Sequence, residues 1–230
     1  MTVELVKHSA ADTDVLWAAR VSTAGEQSLD ELNKDPERSK GLINFLMRDR
    51  HGSPFEHNSM TFFISAPLFV FREFHRHRVG WSYNEESGRY RQLQPVFYVP
   101  GASRKLVQQG RPGKYEFVEG TAEQHALTGR AMAGVYRTAY ETYLEMLEAG
   151  VAREVARAVL PVGLYSSMYA TCNARSLMHF LGLRTQHEQA KVPSFPQREI
   201  EMVGEAMEEQ WSKLMPLTHA AFNANGRVAP

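Results

Sequence analysis

Apolar and polar residues alternate along this chain with two different periods. VELV, residues 3 to 6, starts a strand, and Asp12 or Thr13 caps a helix carrying Val15, Leu16, Ala19 and Val21. Residues 22 to 37 are polar and contain Pro36, which predicts a loop. A second helix follows, with Leu42, Ile43, Phe45 and Leu46 as its apolar face. It should stop at His51-Gly52, where Gly52 is free to take the left-handed conformation and Pro54 blocks continuation. That leaves HGSPFEH, residues 51 to 57, as an exposed connection able to carry function. SMTFFISA, residues 59 to 66, is rich in β-branched and aromatic types and reads as a strand ending at Pro67. In LFVFREFHRHR, Leu68, Val70, Phe71 and Phe74 fall at helical spacing, which should deliver Arg76, His77 and Arg78 at a helix end.

VFYVP, residues 96 to 100, predicts a short strand, and the basic, Gly-rich residues 101 to 120 a lid-like loop without helical period. A long amphipathic helix from Thr121 to Ala149 carries Met132, Val135, Tyr136, Ala139, Tyr143, Met146 and Leu147 as one core stripe, and Gly150 closes it. Residues 151 to 161 form a short helix with Val151, Val155 and Val159 on one face and Arg153 and Arg157 on another. Those two arginines are either solvated or share an anion. LYSSMYATCN is a strand leading into a helix from Asn173, where Leu177, Phe180, Leu181 and Arg184 fall at i, i+3, i+4 and i+7. Arg184 thus continues an apolar stripe and needs a buried partner or a ligand; the nearest acid in sequence, Glu188, lies beyond the helix. A last helix from Gln197 buries Ile200, Val203, Ala206, Met207, Trp211 and Leu214, and NANGRVAP should fray. The fold class predicted is α+β, a small β-sheet flanked by several α-helices, in a single domain over residues 1–230.

Composition narrows the function classes. A chain of 230 residues, 43% hydrophobic, can bury one sizeable core. With 26 basic and 26 acidic residues there is no net field to draw it onto nucleic acid or an anionic membrane, so any phosphate binding is local. One cysteine, Cys172, excludes an intrachain disulfide framework; with no evident signal peptide or long apolar span, a cytoplasmic location is expected. Neither a GxGxxG nor a GxxxxGK[ST] loop occurs.

The densest chemistry lies in RHRVGWSYNEESGRY, Arg76 to Tyr90. Arg76, Arg78 and Arg89 only donate, from planar forks suited to phosphate and carboxylate, while Ser82, Ser87 and Gly88 add hydroxyls and approachable amides. A solvated charged loop is the plain alternative, but Trp81, Tyr83 and Tyr90 are interleaved with the charges. Cations in a last turn also suit the helix dipole, which covers His75 to Arg78 but not Ser87 or Arg89. Two rival functions stand beside nucleotide binding. A metal-dependent hydrolase would use His75 and His77 with His51 or His57, against the repulsion of Arg76 and Arg78. A single-stranded nucleic-acid binder would use the aromatics and arginines of residues 72 to 91, against a neutral net charge.

Arg76-His77-Arg78, followed after eight residues by Ser87 and then by Arg89 and Tyr90, resembles the signature of the flavin-dependent thymidylate synthases, and matching segments extend over about residues 14 to 215. The resemblance implies a homotetramer with FAD lying across subunit boundaries, held by His51, Ser53, Arg76, His77, Arg78, Glu85, Asn173 and His179. It implies dUMP on Glu73, Arg76, Ser87, Gly88, Arg89, Arg157 and Arg184, with Arg184 also the catalytic residue, favouring ionisation of the uracil by charge alone. No metal is implied. The reaction is reductive methylation, in which methylenetetrahydrofolate supplies the one-carbon unit to C5, FAD carries hydride, NADPH is the reductant, and dTMP leaves with tetrahydrofolate. No cysteine nucleophile is needed, which fits Cys172 as a core residue, and Ser87 lacks an evident base and reads as a phosphate contact. The VGWSYNEE spacer and the insertion QHEQAKVPSFPQ depart from the family pattern.

Overall fold

Described in a computed structural model over residues 1–25, 35–112 and 114–230, the chain begins with β1 (Thr2–Ser9), α1 (Asp12–Ala24) and α2 (Pro36–Arg48). A 3-10 turn (Ser53–Glu56), β2 (Ser59–Pro67), α3 (Leu68–Phe74) and β3 (Trp81–Glu85) follow. Next come β4 (Val107–Arg111), β5 (Lys114–Val118), α4 (Ala122–Glu148) and α5 (Arg153–Ala156), which runs on as a 3-10 turn (Arg157–Val159). β6 (Tyr165–Cys172), α6 (Ala174–Arg184), α7 (Arg198–Leu214) and α8 (Pro216–Ala224) complete an α+β fold. The chain divides into two compact units: residues 1–64, 73–84 and 168–230, and residues 65–72 and 85–167. No helix among the described residues is long and apolar enough to cross a membrane.

The first unit carries a four-stranded sheet in the order β1-β2-β6-β3, with β2 and β6 running on into the second. Every second residue of β2, Met60, Phe62 and Ile64, is fully buried, as are Ala170 and Cys172 of β6, the period-two pattern of a sheet with one face in the core. Burial pushes the Cys172 thiol well above its ordinary range, so it is inert packing. On the other face Thr61 and Thr171 share a cross-strand hydrogen bond of 2.9 Å.

Several expectations are corrected. Asp12 does not cap its own helix: the residue before α1 is Ala11, whose N–H donates to Asp14 at 2.8 Å. Asp12 instead accepts from Leu217 N, Thr218 N and Thr218 Oγ1 at 2.8, 2.8 and 2.6 Å, capping α8 from 205 residues away. Pro36 opens α2 instead of sitting in the loop, a place where its missing N–H costs nothing, and Asp35 caps that helix through Arg38 N. Residues 22–24 of that loop continue α1 instead, and residues 26–34 lie outside the described residues. Phe45 is exposed, and Met47 takes its place in the core. Gly52 has φ −77°, so it is Arg50, at φ 65°, that turns the chain after α2. Residues 101 to 120 contain an antiparallel hairpin, Val107 opposite Val118 through Arg111 opposite Lys114, because VQQGR and KYEFV pair edge to edge and need no buried face.

The α4 stripe has the helical period expected, and Thr121 and Gln124 form a capping box at its start. Yet in its own chain it is not core: Tyr143 is its buried residue, while Leu127 and Val135 are 60% and 61% exposed. In α5 the inward residue is Ala156, and Val155 and Val159 are exposed.

The tail does not fray. A further helix, α8, follows the one read as last, and Arg227 behind it is 3% exposed. Its guanidinium binds Glu208 through two bonds of 2.5 and 2.7 Å, with Asn223 Oδ1 and Thr185 Oγ1 at 2.7 and 2.9 Å. Burial opposes the Glu208 charge, but hydrogen bonds from Arg227 and His219 outweigh it and hold the carboxyl at about 2. A carboxylate lowered from 4.5 stabilises the fold above pH 4.5 and loses that contribution as pH falls toward 2. Glu208→Gln should therefore cost about 3 kcal/mol at neutral pH, because Arg227 is left buried without a counter-charge. It should also reduce the parent's loss of stability between pH 4.5 and 2 by the share that Glu208 contributes, read by urea unfolding at a series of pH values. An acid profile identical to the parent's contradicts the assignment.

Candidate active site

α3 ends at Phe74 because the chain turns there: Arg76 N and His77 N donate back to Glu73 O and Phe74 O at 3.3 and 2.8 Å, and Trp81 N to Arg78 O at 3.3 Å. The Tyr83 hydroxyl fastens this turn, lying 3.0 Å from Phe74 O and 2.8 Å from His77 O. Burial raises its pKa further, so it stays a donor. Phe74 stacks on Phe180 of α6 at 4.7 Å, and Trp81 on Tyr83 at 5.7 Å. Gly80, at φ +70°, lets the turn approach α6: a Cβ there would lie 2.0 Å from Ser176 Oγ, which donates to Val79 O at 3.0 Å. The RHR triplet is thus clamped against α6 by packing, one hydroxyl from each side and a glycine.

Arg184, at the far end of α6, has the acidic partner that its neighbours in sequence do not supply. Its Nη1 donates to Glu73 Oε2, and its Nε to His77 Nε2 at 3.1 Å. Accepting at Nε2 fixes His77 as a neutral imidazole protonated at Nδ1. Burial first, then the charges of Arg184 and His179, lower its pKa to about 4. For Glu73, burial outweighs the attraction of Arg184 and raises the carboxyl above its usual range. The side chains of Arg184 and Glu73 are both mostly buried.

A cavity of about 380 Å³ opens beside the turn, lined by His77, Arg78, Val79, Trp81, Arg175, Ser176, His179 and Glu56. His179 is lowered by burial and then by Arg175 and Arg50, so both imidazoles here are neutral beside two permanent cations. Two guanidiniums next to the apolar surfaces of Val79 and Trp81 fit a group bearing both phosphates and a flat conjugated ring, and so they fit a flavin nucleotide. Asn173 adjoins this site but its Oδ1 is committed to the α6 cap, accepting from Ser176 N at 2.9 Å; Asn58 Oδ1 takes Ala174 N at 2.8 Å. Gly52 lies against Arg175, where a Cβ would sit 2.4 Å from Cζ, which brings the His51-Gly52-Ser53 loop to the cavity's lining. His51 itself is exposed and stacks on Phe45 at 5.6 Å, and Ser53 and Arg76 are exposed.

The second unit gathers a different set. Ser87 to Tyr90 form a turn in which Arg89 N meets Ser87 Oγ at 3.3 Å and Tyr90 N meets Ser87 O at 3.1 Å. Buried Gly88 packs on Arg157, with a Cβ there 3.2 Å from Arg157 Cδ. Arg89 Nε reaches Glu154 Oε2 at 3.0 Å, both side chains exposed. Glu85, at the end of β3, is exposed. The sequence-predicted residues thus fall into two clusters, Glu73, His77, Arg78, His179 and Arg184 in one unit and Ser87, Gly88, Arg89 and Arg157 in the other. His75 joins neither; it faces the Tyr83 ring edge at 5.5 Å, and the Nε2 that a metal would need on His77 is taken by Arg184.

Arg175, Glu56, Ser176 and Val79 were not singled out from sequence. Arg175 had a readable signal: a cation in the first turn of a helix opposes the dipole and needs a compensating partner. That partner is Glu56, at 2.5 Å.

Comparison with known proteins places the chain. Residues 4–217 match the family model described as thymidylate synthase complementing protein. A flavin-dependent thymidylate synthase of Streptomyces avermitilis is 86% identical over 230 residues, covering 100% of this chain and 94% of that protein. One from Tropheryma whipplei is 59% identical over 232 residues, covering 100% of this chain and 95% of that protein. The crystal structure of the UMP/dUMP methylase PolB of Streptomyces cacaoi, bound with 5-Br dUMP, superposes with a TM-score of 0.93 at 56% identity, covering 100% of this chain and 97% of that one. From motif, site and full-length likeness together, the chain belongs to the flavin-dependent thymidylate synthase family.

Proposed function

We propose that the protein methylates dUMP to dTMP, taking the one-carbon unit from methylenetetrahydrofolate, with FAD as hydride carrier and NADPH as reductant, as a cytoplasmic homotetramer whose active sites are shared between subunits. The observation that carries the reading is Arg184, a guanidinium fixed by Glu73 and a neutral His77 at the mouth of the RHR turn. Bound FAD would supply the hydride, and His51, Ser53, Arg76, His77, Arg78, Glu85, Asn173 and His179 would hold it, joined by Arg175 from the cavity lining. The dUMP phosphate would sit on Ser87, Gly88, Arg89 and Arg157, donors gathered in one turn and the adjoining helix end. Glu73, Arg76 and Arg184 would address the uracil. Arg184 cannot accept a proton; it stabilises negative charge developing on the ring, which makes C5 the better nucleophile toward the one-carbon unit. The exposed Leu127 and Val135 of α4, beside a stripe that is mostly only half-buried, support an assembly that covers this face.

Substrate choice rests on the degree of likeness. The thymidylate synthases reach 86% and 85% identity, against 55% and 56% for the UMP/dUMP methylase, which favours dUMP over UMP. The decisive experiment is the absorbance spectrum of pure protein reconstituted with FAD, with NADPH added, then product analysis with dUMP or UMP and methylenetetrahydrofolate. Flavin bands that bleach with NADPH, and dTMP from dUMP, are expected. Turnover of UMP without dUMP, or a chain that takes up no flavin, contradicts the reading.

Two variants test the residue roles. Arg184→Lys keeps the charge but loses the paired donors, so it should bind FAD normally and form dTMP about 100-fold more slowly; dTMP formation at the parent rate excludes Arg184 as the base-activating residue. Arg78→Ala removes one charged donor from the cavity and should weaken FAD binding by about tenfold or more while the fold persists, seen as largely colourless protein with parent-like circular dichroism. Full flavin occupancy in that variant removes Arg78 from the site.

A further inference from the structure

Residues 227–230 reach the cavity lining through main-chain oxygens. Arg227 anchors them, buried and held by Glu208, Asn223 and Thr185, while Gly226 O accepts from Lys191 N at 2.9 Å. Beyond that anchor two guanidiniums meet the main chain. Arg50, aimed by its left-handed φ of 65°, donates from Nη1 to Val228 O and Ala229 O at 3.2 and 2.9 Å. Arg175 donates from Nε to Pro230 O at 2.7 Å and from Nη1 to Glu56 Oε1 at 2.5 Å. Two bonds to one planar guanidinium fix its plane, leaving its other N–H groups for a ligand.

We propose that the segment Arg227–Pro230 is a strap that positions Arg175 for FAD in the cavity lined by His77, Arg78 and His179. This rests on the flavin reading given above. A long cationic side chain fixed beforehand does not lose its freedom when the ligand arrives, so the strap acts on affinity through pre-organisation. Arg50 and Arg175 also stand close enough to His179 to disfavour its protonation, which couples the strap to the imidazole side of the cavity. Gly52 completes the arrangement, since any Cβ there would collide with the Arg175 guanidinium that the strap holds.

The test is a double-mutant cycle on FAD affinity, measured by fluorescence titration of apoprotein, with the apoprotein's melting temperature recorded alongside. Shortening the chain after Arg227 keeps the anchor and removes the three main-chain acceptors. The shortened chain should bind FAD about tenfold more weakly. In an Arg175→Ala background the same shortening should change FAD affinity less than about twofold, because the side chain that the strap acts through is gone. A tenfold loss in both backgrounds, or none in either, overturns the proposal. Should the shortened chain not fold, Arg227→Lys in the full chain loosens the anchor while retaining one charge toward Glu208. It should weaken FAD binding in the parent and not in the Arg175→Ala background; equal effects in both again overturn the strap. A parent apoprotein that takes up no FAD overturns the flavin reading and the strap with it, whereas a parent that binds FAD and a shortened chain that binds it equally well overturns the strap alone.

Discussion

A guanidinium at the end of an apolar helix stripe cannot stay there unmatched, and the way Arg184 is matched organises the region around it. Its partners come from one short stretch, the carboxylate of Glu73 at the end of α3 and the imidazole of His77 three residues past the end of that stretch's helix. Both contacts require α3 to stop at Phe74 and the chain to turn back over α6, which the Phe74–Phe180 stack and the Tyr83 hydroxyl accomplish. A protonated His77 could not accept from Arg184 and would set two cations side by side, so the burial that keeps it neutral is part of the same arrangement. A mostly buried ion pair of this kind adds little net stability. Its consequence is orientation: the fork of Arg184 points one way, and the remaining N–H groups are committed in direction before any anion arrives.

Where local sequence determined local structure, the reading was legible. The strands at residues 59 to 66 and 165 to 172, the capped starts of α4 and α6, and the RHR triplet just past a helix end follow from side-chain period, β-branching and capping chemistry acting over a few residues. The inward position of Arg184 followed from i, i+3, i+4, i+7 spacing alone, and so did the need for a partner.

What stayed illegible depends on residues far apart in the chain. Asp12 satisfies the first turn of a helix 205 residues away, and no local rule distinguishes that from capping its own helix. Glu73 lies 111 residues before Arg184, so searching forward to Glu188 could not find it. Arg227, in a polar tail with no hydrophobic run, is buried because Glu208 compensates its charge, and composition reads such a tail as solvated. The α4 stripe is the opposite case. Its period was read correctly, but period reports that a face is apolar and not what covers it; within its own chain Tyr143 is the residue it buries.

Neutral net charge conceals how the cationic groups are handled. Three arginines of the two clusters and the cavity each face a carboxylate, Arg184 with Glu73, Arg175 with Glu56 and Arg89 with Glu154. The pairs differ in exposure, and so in how readily an anionic ligand takes over from the acid. Arg89 and Glu154 are 54% and 55% exposed, where screening leaves a pair worth about 1 kcal/mol or less, and a phosphate with more charge and three acceptor oxygens competes easily. Arg175 is intermediate and has a backbone carbonyl as second anchor, so it can turn spare donors to a ligand without releasing Glu56. Arg184 is the least exposed of the three, and separating it from Glu73 would strand a buried carboxylate. The gradient runs from an exchangeable pair suited to gripping a phosphate to a retained pair suited to presenting charge to a reacting ring, a division of labour that the same residue type achieves through burial alone.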